Sequence, residues 1–261
     1  MTPDQPAPAQ PAPSQPALAD TAVPTGPGLA EYLPALLREA RIETVELDVL
    51  HRRPSFQGSE VSSRAQSITD PARDEHRARG FGFWEFVLAE AVTTDSETRR
   101  GLLDGALRHN SDDAVRVRLR REEFIECLSS GEYEDLPPRD LVSFCSPVEV
   151  FGDEQRMHLP LLDLGVKPGP DGQAAAMDAM HALGLRGLLF ESGRSYHFYG
   201  ADPVTPPDLV AILGRAQLLS PIIDSRWVSH QLIDGRCGLR ISTDSEKTPA
   251  PPVLVARVGT N

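Results

Sequence analysis

Three residues in the second half of the chain stand where strand spacing lets them do chemistry together. They are Asp163 in PLLDLGV, His197 in FESGRSYHFYG and Asp224 after the apolar run LLSPII. Side chains alternate faces along a strand, so Asp163 shares a face with residue 165, and Ser195 shares one with His197. FESGRSYHFYG also sets Arg194, two glycines and the hydroxyls of Ser192 and Ser195 between aromatic residues. Two carboxylates suit a hard cation such as Mg²⁺ or Mn²⁺, while an imidazole, hydroxyls and a guanidinium suit phosphate oxygens. The chemistry expected of such a set is the handling of a metal-bound polyphosphate.

For Asp163 to meet His197, the two strands carrying them must be neighbours. From Arg156 onward the pattern reads as a strand (RMHLPLLDLGV), a helix ending at Gly184 (QAAAMDAMHALGL), a strand (RGLLFES), another strand (SYHFYG) and a helix with proline at its start (PPDLVAILGRAQLL). Further strand is expected around Asp224 to Ser242, with Cys237, Leu239 and Ile241 on one side and Arg236, Arg240 and Ser242 on the other. This is a β-α-β-β-α-β order, the RNA-recognition-motif or ferredoxin-like arrangement, in which the first and third strands are central neighbours. The fold class expected is α+β, with this C-terminal half (151–261) packed on an N-terminal α/β half (29–150).

In the N-terminal half, Leu29, Tyr32, Leu33, Leu36 and Leu37 recur at helical spacing, followed by a strand over Thr44 to Leu50. The polar stretch Pro54 to Arg79 fits either a long loop or a partly helical excursion. GFGFWEFVLAEAV is apolar enough for a core, and Ser96 to Asn110 has helical spacing with Asp95 or Ser96 as N-cap. In AVRVRLRR, Val115, Val117 and Leu119 alternate with Arg116, Arg118 and Arg120, giving a strand with one basic face. That face can track phosphates or pair with the chain's many carboxylates. Residues 1–28 are dominated by Pro, Ala, Gln and Thr, the composition of a disordered tail able to tether a protein partner.

A formal charge of −12 opposes non-specific attraction to nucleic acid or anionic membrane, so any phosphate must be met locally. Cys127, Cys145 and Cys237 are too far apart for a Cys-x-x-Cys pair or a zinc set. With no secretory-type start and no long apolar run, a cytoplasmic location is expected. The chain carries no Gly-x-Ser-x-Gly elbow, His-Glu-x-x-His zinc motif, Gly-x-x-x-x-Gly-Lys loop or Gly-x-Gly-x-x-Gly fingerprint.

LLDLGV, SGRSYHFYG and PIIDSRWVSHQLIDGRCGLRIS, in that order over Arg156 to Ser242, resemble the motif set of the archaeo-eukaryotic primase superfamily. That family carries a hydrophobic-Asp-hydrophobic-Asp motif, a Ser-x-His motif and a later hydrophobic-Asp motif. The resemblance implies that Asp163, His197 and Asp224 are catalytic, with Asp163 and Asp224 holding Mg²⁺ or Mn²⁺. Ser192, Arg194, Ser195, His197, Arg226, His230 and Arg240 would contact a nucleoside triphosphate, or a DNA or RNA end.

One departure is chemically pointed. Where the family's first motif has its second aspartate, this chain has Gly165. Two-metal phosphoryl transfer needs enough carboxylates to hold both ions, so loss of one acid puts polymerase activity in doubt. Glu191, Glu149 or Asp153 would have to substitute. The single-aspartate pattern resembles primase-like proteins associated with prokaryotic conflict or mobile-element systems, which implies reduced or altered nucleotidyl transfer. The alternatives are a working metal-dependent primase-polymerase and a non-catalytic protein-interaction module.

Overall fold

The computed structural model describes residues 28–51, 63–79, 82–108, 114–137, 140–243 and 250–259. The Pro-rich segment 1–27 lies outside the described residues. The first half supplies α1 (Leu29–Glu39), β1 (Ile42–His51), α2 (Ser63–Arg79), α3 (Phe83–Ala91), α4 (Ser96–Leu107), β2 (Val115–Arg120), α5 (Arg121–Ser129) and β3 (Asp140–Val150). The second supplies β4 (Met157–His158), β5 (Leu161–Leu164), α6 (Pro170–Leu183), β6 (Gly187–Glu191), β7 (Tyr196–Gly200), α7 (Pro206–Gln217), α8 (Ser225–Asp234), β8 (Gly238–Arg240) and β9 (Val253–Val258). The class is α+β, as the sequence pattern predicts.

All strand pairings are antiparallel, and they form two sheets. One runs β2-β1-β3-β4, with β8 also paired to β3; the other runs β5-β7-β6-β9. The expected single strand over Arg156 to Val166 is two strands, because Pro160 has no N–H to donate and the chain changes sheets there. Before it, the His158 N–H donates to the Val204 carbonyl and the Leu159 N–H to the Ser146 carbonyl. After it, Leu161–Leu164 pairs with β7. Helix α6 begins on Pro170 and stops at Gly184, whose φ of 71° suits a residue without Cβ.

The order β5-α6-β6-β7-α7 follows the expected pattern, and β5 and β7 are neighbours. The rest departs from it. Most of the strand expected after Asp224 is helix α8, and only Gly238–Arg240 extends as a strand, in the other sheet. The far edge of the second sheet is completed by β9 on β6. Arg236 and Arg240 are both buried.

Side chains from both sheets and from α1, α5, α6, α7 and α8 share one apolar core, with Phe144 of β3 set 6.2 Å from Tyr199 of β7 between their ring centroids. The second core is smaller. Ala65, Ile68, Ala72, Trp84, Val87, Ala91, Leu102 and Ala106 hold α2, α3 and α4 together as a helical unit inserted between the paired strands β1 and β2. The undecided stretch 54–79 is thus helical from Ser63, and Trp84 is buried in that unit. Asp95 caps α4 by accepting from the Glu97 and Thr98 amides, as expected. On β2, Arg118 pairs with Glu149 and Arg120 with Glu123, so part of the basic face is spent on the chain's own carboxylates.

Candidate nucleotide site

Antiparallel pairing of β5 with β7 places Asp163 directly opposite His197, and on the other side of β7 Phe190 is the partner of His197. Cross-strand partners share a face, so Asp163, His197 and Phe190 look the same way, toward the other sheet. The β6–β7 turn brings in the hydroxyls. Gly193 has φ 100°, which turns the chain tightly enough for the Ser192 N–H to donate to the Ser195 carbonyl at 2.9 Å. The Ser195 hydroxyl then donates to Asp163 Oδ1 at 3.5 Å, and His197 Nε2 lies 3.8 Å from the same oxygen. Arg194 is exposed at the tip of this turn.

His197 is only 6% exposed, and burial together with the Arg240 guanidinium lowers its pKa to about 3. At neutral pH it is an uncharged ring. Its Nδ1 is buried without a hydrogen-bond partner, as is the hydroxyl of Tyr199 two residues on, whose pKa burial raises. Tyr199, an aromatic on an apolar strand, reads as core in the sequence and is buried in the core of the structure. Arg240 donates to the backbone carbonyls of Ser192, at 3.0 Å, and Ser242. It therefore fastens the β6–β7 turn to β8 and supplies positive charge from inside.

Asp224 arrives by a different route. Its N–H donates to the Asp163 carbonyl at 3.1 Å, next to a bridge between Leu164 and Ile223, so the two acids sit on adjoining backbone segments. Its Oδ1 accepts from the Arg226 and Trp227 amides at 2.9 and 3.0 Å, capping α8. None of the carboxylates suggested as substitutes joins them. Glu191 is opposite Tyr196 and so points to the other face of the sheet, Glu149 pairs with Arg118, and Asp153 Oδ1 accepts from the Gln155 amide.

Among the described residues no group of three or more His, Cys, Asp or Glu side chains is placed to hold a metal ion. Asp163 and Asp224, with one oxygen of Asp224 committed to a cap, do not make a resident two-ion centre.

Residues 120–253, about half of the chain, match a family model described as "Archaeo-eukaryotic primase 1D-like". The chain belongs to this AEP-like, primase-like family. No curated protein and no solved structure matches. Membership supports a nucleotidyltransferase-like, nucleic-acid-related function, with nucleotide or nucleic acid as partner. Among the described residues of this primase-like chain, no helix is long and apolar enough to cross a membrane.

The matched region contains all of the residues on which the resemblance rests. Arg226 stacks over Trp84, its guanidinium carbon 4.7 Å from the ring centroid, and donates to the Ala106 carbonyl. It ties the helical unit to α8, two residues after Asp224. His230 lies one helical turn further along α8. Replacing Arg226 with alanine is expected to remove a contact of about 0.5–2 kcal/mol. Hydrogen exchange should then quicken in α3 and α4 while nucleotide-dependent stabilisation persists. Loss of that stabilisation with unchanged exchange would instead make Arg226 a phosphate contact.

Proposed function

We propose that this primase-like domain binds a nucleoside triphosphate, or the phosphorylated end of a nucleic acid, with Mg²⁺ or Mn²⁺ at Asp163, Ser195, His197 and Asp224, and that its nucleotidyl transfer is weak or altered. The observation that carries this reading is the shared face of Asp163 and His197 on adjacent strands, with the Ser195 hydroxyl on the same carboxylate. In this reading each group has a role. A neutral His197 offers phosphate a hydrogen bond but no charge, so the compensating charge comes from the cation and from Arg194 at the turn. In a chain of formal charge −12 that local compensation decides whether a polyphosphate stays bound. Asp163 and Asp224 hold the cation, and Arg240 keeps the Ser192–Ser195 turn in place.

Thermal unfolding with each nucleoside triphosphate and Mg²⁺ or Mn²⁺ tests the proposal. Ligand at about 100 times its dissociation constant adds roughly 2.7 kcal/mol, which raises the melting temperature by about 5–11 °C in a chain of this size. His197→Ala is expected to abolish the shift. No shift of the wild-type protein with any triphosphate would overturn the reading.

A further inference from the structure

Beyond Leu164, β5 does not simply end. The Gly165 N–H donates to the Ile222 carbonyl at 2.9 Å, Leu164 bridges Ile223, and the Asp224 N–H donates to the Asp163 carbonyl at 3.1 Å. These contacts zip residues 163–165 to residues 222–224. They hold only because Gly165 has no side chain. A Cβ there would lie 2.7 Å from the Pro221 carbonyl oxygen and 3.9 Å from the Asp224 Cα and N. The obstacle is backbone, which cannot swing aside as the end of a flexible side chain can.

We propose that Gly165 is a positioning residue: its bare backbone lets the Pro221–Asp224 segment close on β5 and thereby sets Asp224 beside Asp163. This rests on the reading of those two acids as the nucleotide site, and it changes what the glycine means. The place of a second carboxylate is not vacant but filled by the Pro221 carbonyl. An aspartate at 165 would push away the segment that presents Asp224 before it could add a metal ligand, so the site is built for one cation held between two acids.

The test compares Gly165→Ala and Gly165→Asp with Gly200→Ala in the full chain. Gly200 is equally crowded, with a Cβ meeting Pro160 Cδ and O at 2.9 Å, but it lies at the other end of β7. For each variant, unfolding without ligand and calorimetric titration with Mn²⁺ and ATP separate stability from binding. Both Gly165 variants are expected to bind about ten-fold or more weakly, as when a group that orients a metal ligand is lost. Gly200→Ala should keep wild-type affinity in its folded fraction. Tighter binding, or a second bound Mn²⁺, in Gly165→Asp would overturn the proposal, and so would an equal loss of affinity in Gly200→Ala. Amide exchange at Asp224 gives a reading that needs no ligand: protection is expected to fall in Gly165→Ala and to persist in Gly200→Ala, and unchanged protection in Gly165→Ala would sink the proposal. If the wild-type protein binds no nucleotide, that measurement alone decides the positional claim, and only the nucleotide reading falls.

Discussion

Arg236→Met is expected to destabilise the protein by about 3–5 kcal/mol and to lower its melting temperature by roughly 10 °C. Arg236 and Asp48 are each 7% exposed, and one guanidinium nitrogen contacts Asp48 Oδ2 while the other lies 3.3 Å from Glu46 Oε2. Glu46 has a second partner in Arg156, but Asp48 does not have that relief, and its Oδ1 is buried without a hydrogen bond. Removing the guanidinium leaves a carboxylate inside the sheet with only the Cys145 thiol, a weak donor, to offset its lost hydration. The cost should belong to the orphaned acid more than to the missing pair. Asp48→Leu combined with Arg236→Met should therefore recover most of the loss, since replacing both partners of a buried pair by apolar groups is often neutral. Urea unfolding of the two single variants and the double measures this directly, and additive losses would show that the pair is not coupled.

This network shows where the sequence stops being informative. Thr44, Glu46 and Asp48 alternate with Val45, Leu47 and Val49, which is the pattern of a strand with one wet face. The pattern gives strand and period correctly, but it cannot tell a carboxylate facing water from one facing a buried arginine some 190 residues later. Arg236 and Arg240 show the same limit: alternation sets them on the opposite side from Cys237, Leu239 and Ile241, but it does not tell that β8 lies against β3 and that both arginines are buried. Helix α8 was legible in principle. Asp224 offers the N-cap, Gly235 the left-handed stop at φ 66°, and Val228 and Gln231, with half-buried Trp227, the inward stripe between them. The α2–α4 unit gives little to read, because among the described residues of α2 only Ala65, Ile68, Thr69 and Ala72 are buried, a narrow stripe.

One juxtaposition in the candidate site is directly legible. Strand period two and antiparallel adjacency are enough to set Asp163 against His197, and neither depends on which sheet receives the last strand. What the chain order could not provide is the environment of each group. That Arg226 is occupied by Trp84, that Asp224 spends an oxygen on a helix cap and that Arg240 holds two carbonyls are all consequences of packing between distant segments. The charge state of His197 is another.

Stability should fall as the solution is acidified below neutrality, and His197 should account for one proton of that dependence. Burial and the field of Arg240 take its pKa from an ordinary 6.5 to about 3, outweighing the Asp163 carboxylate 3.8 Å away, which favours the charged ring. Between those values the unfolded chain binds a proton that the folded chain refuses, so unfolding gains as pH drops. The stabilisation is whole above about 6.5 and is lost as pH falls toward about 3. For one such group the slope is on the order of 1.4 kcal/mol per pH unit. His158 adds a contribution of the same sign, since burial lowers its pKa as well. His197→Gln cannot take up the proton and should flatten the dependence of unfolding free energy on pH by about one proton between about pH 6 and pH 4. A slope identical to that of the wild-type protein would show that the ring is charged in the folded state. Nucleotide affinity supplies the functional counterpart: with His197 already neutral, any transition in binding near pH 6.5 should belong to the terminal phosphate of the triphosphate and persist in His197→Gln. A transition there that disappears in His197→Gln would mean that the ring meets phosphate as a cation.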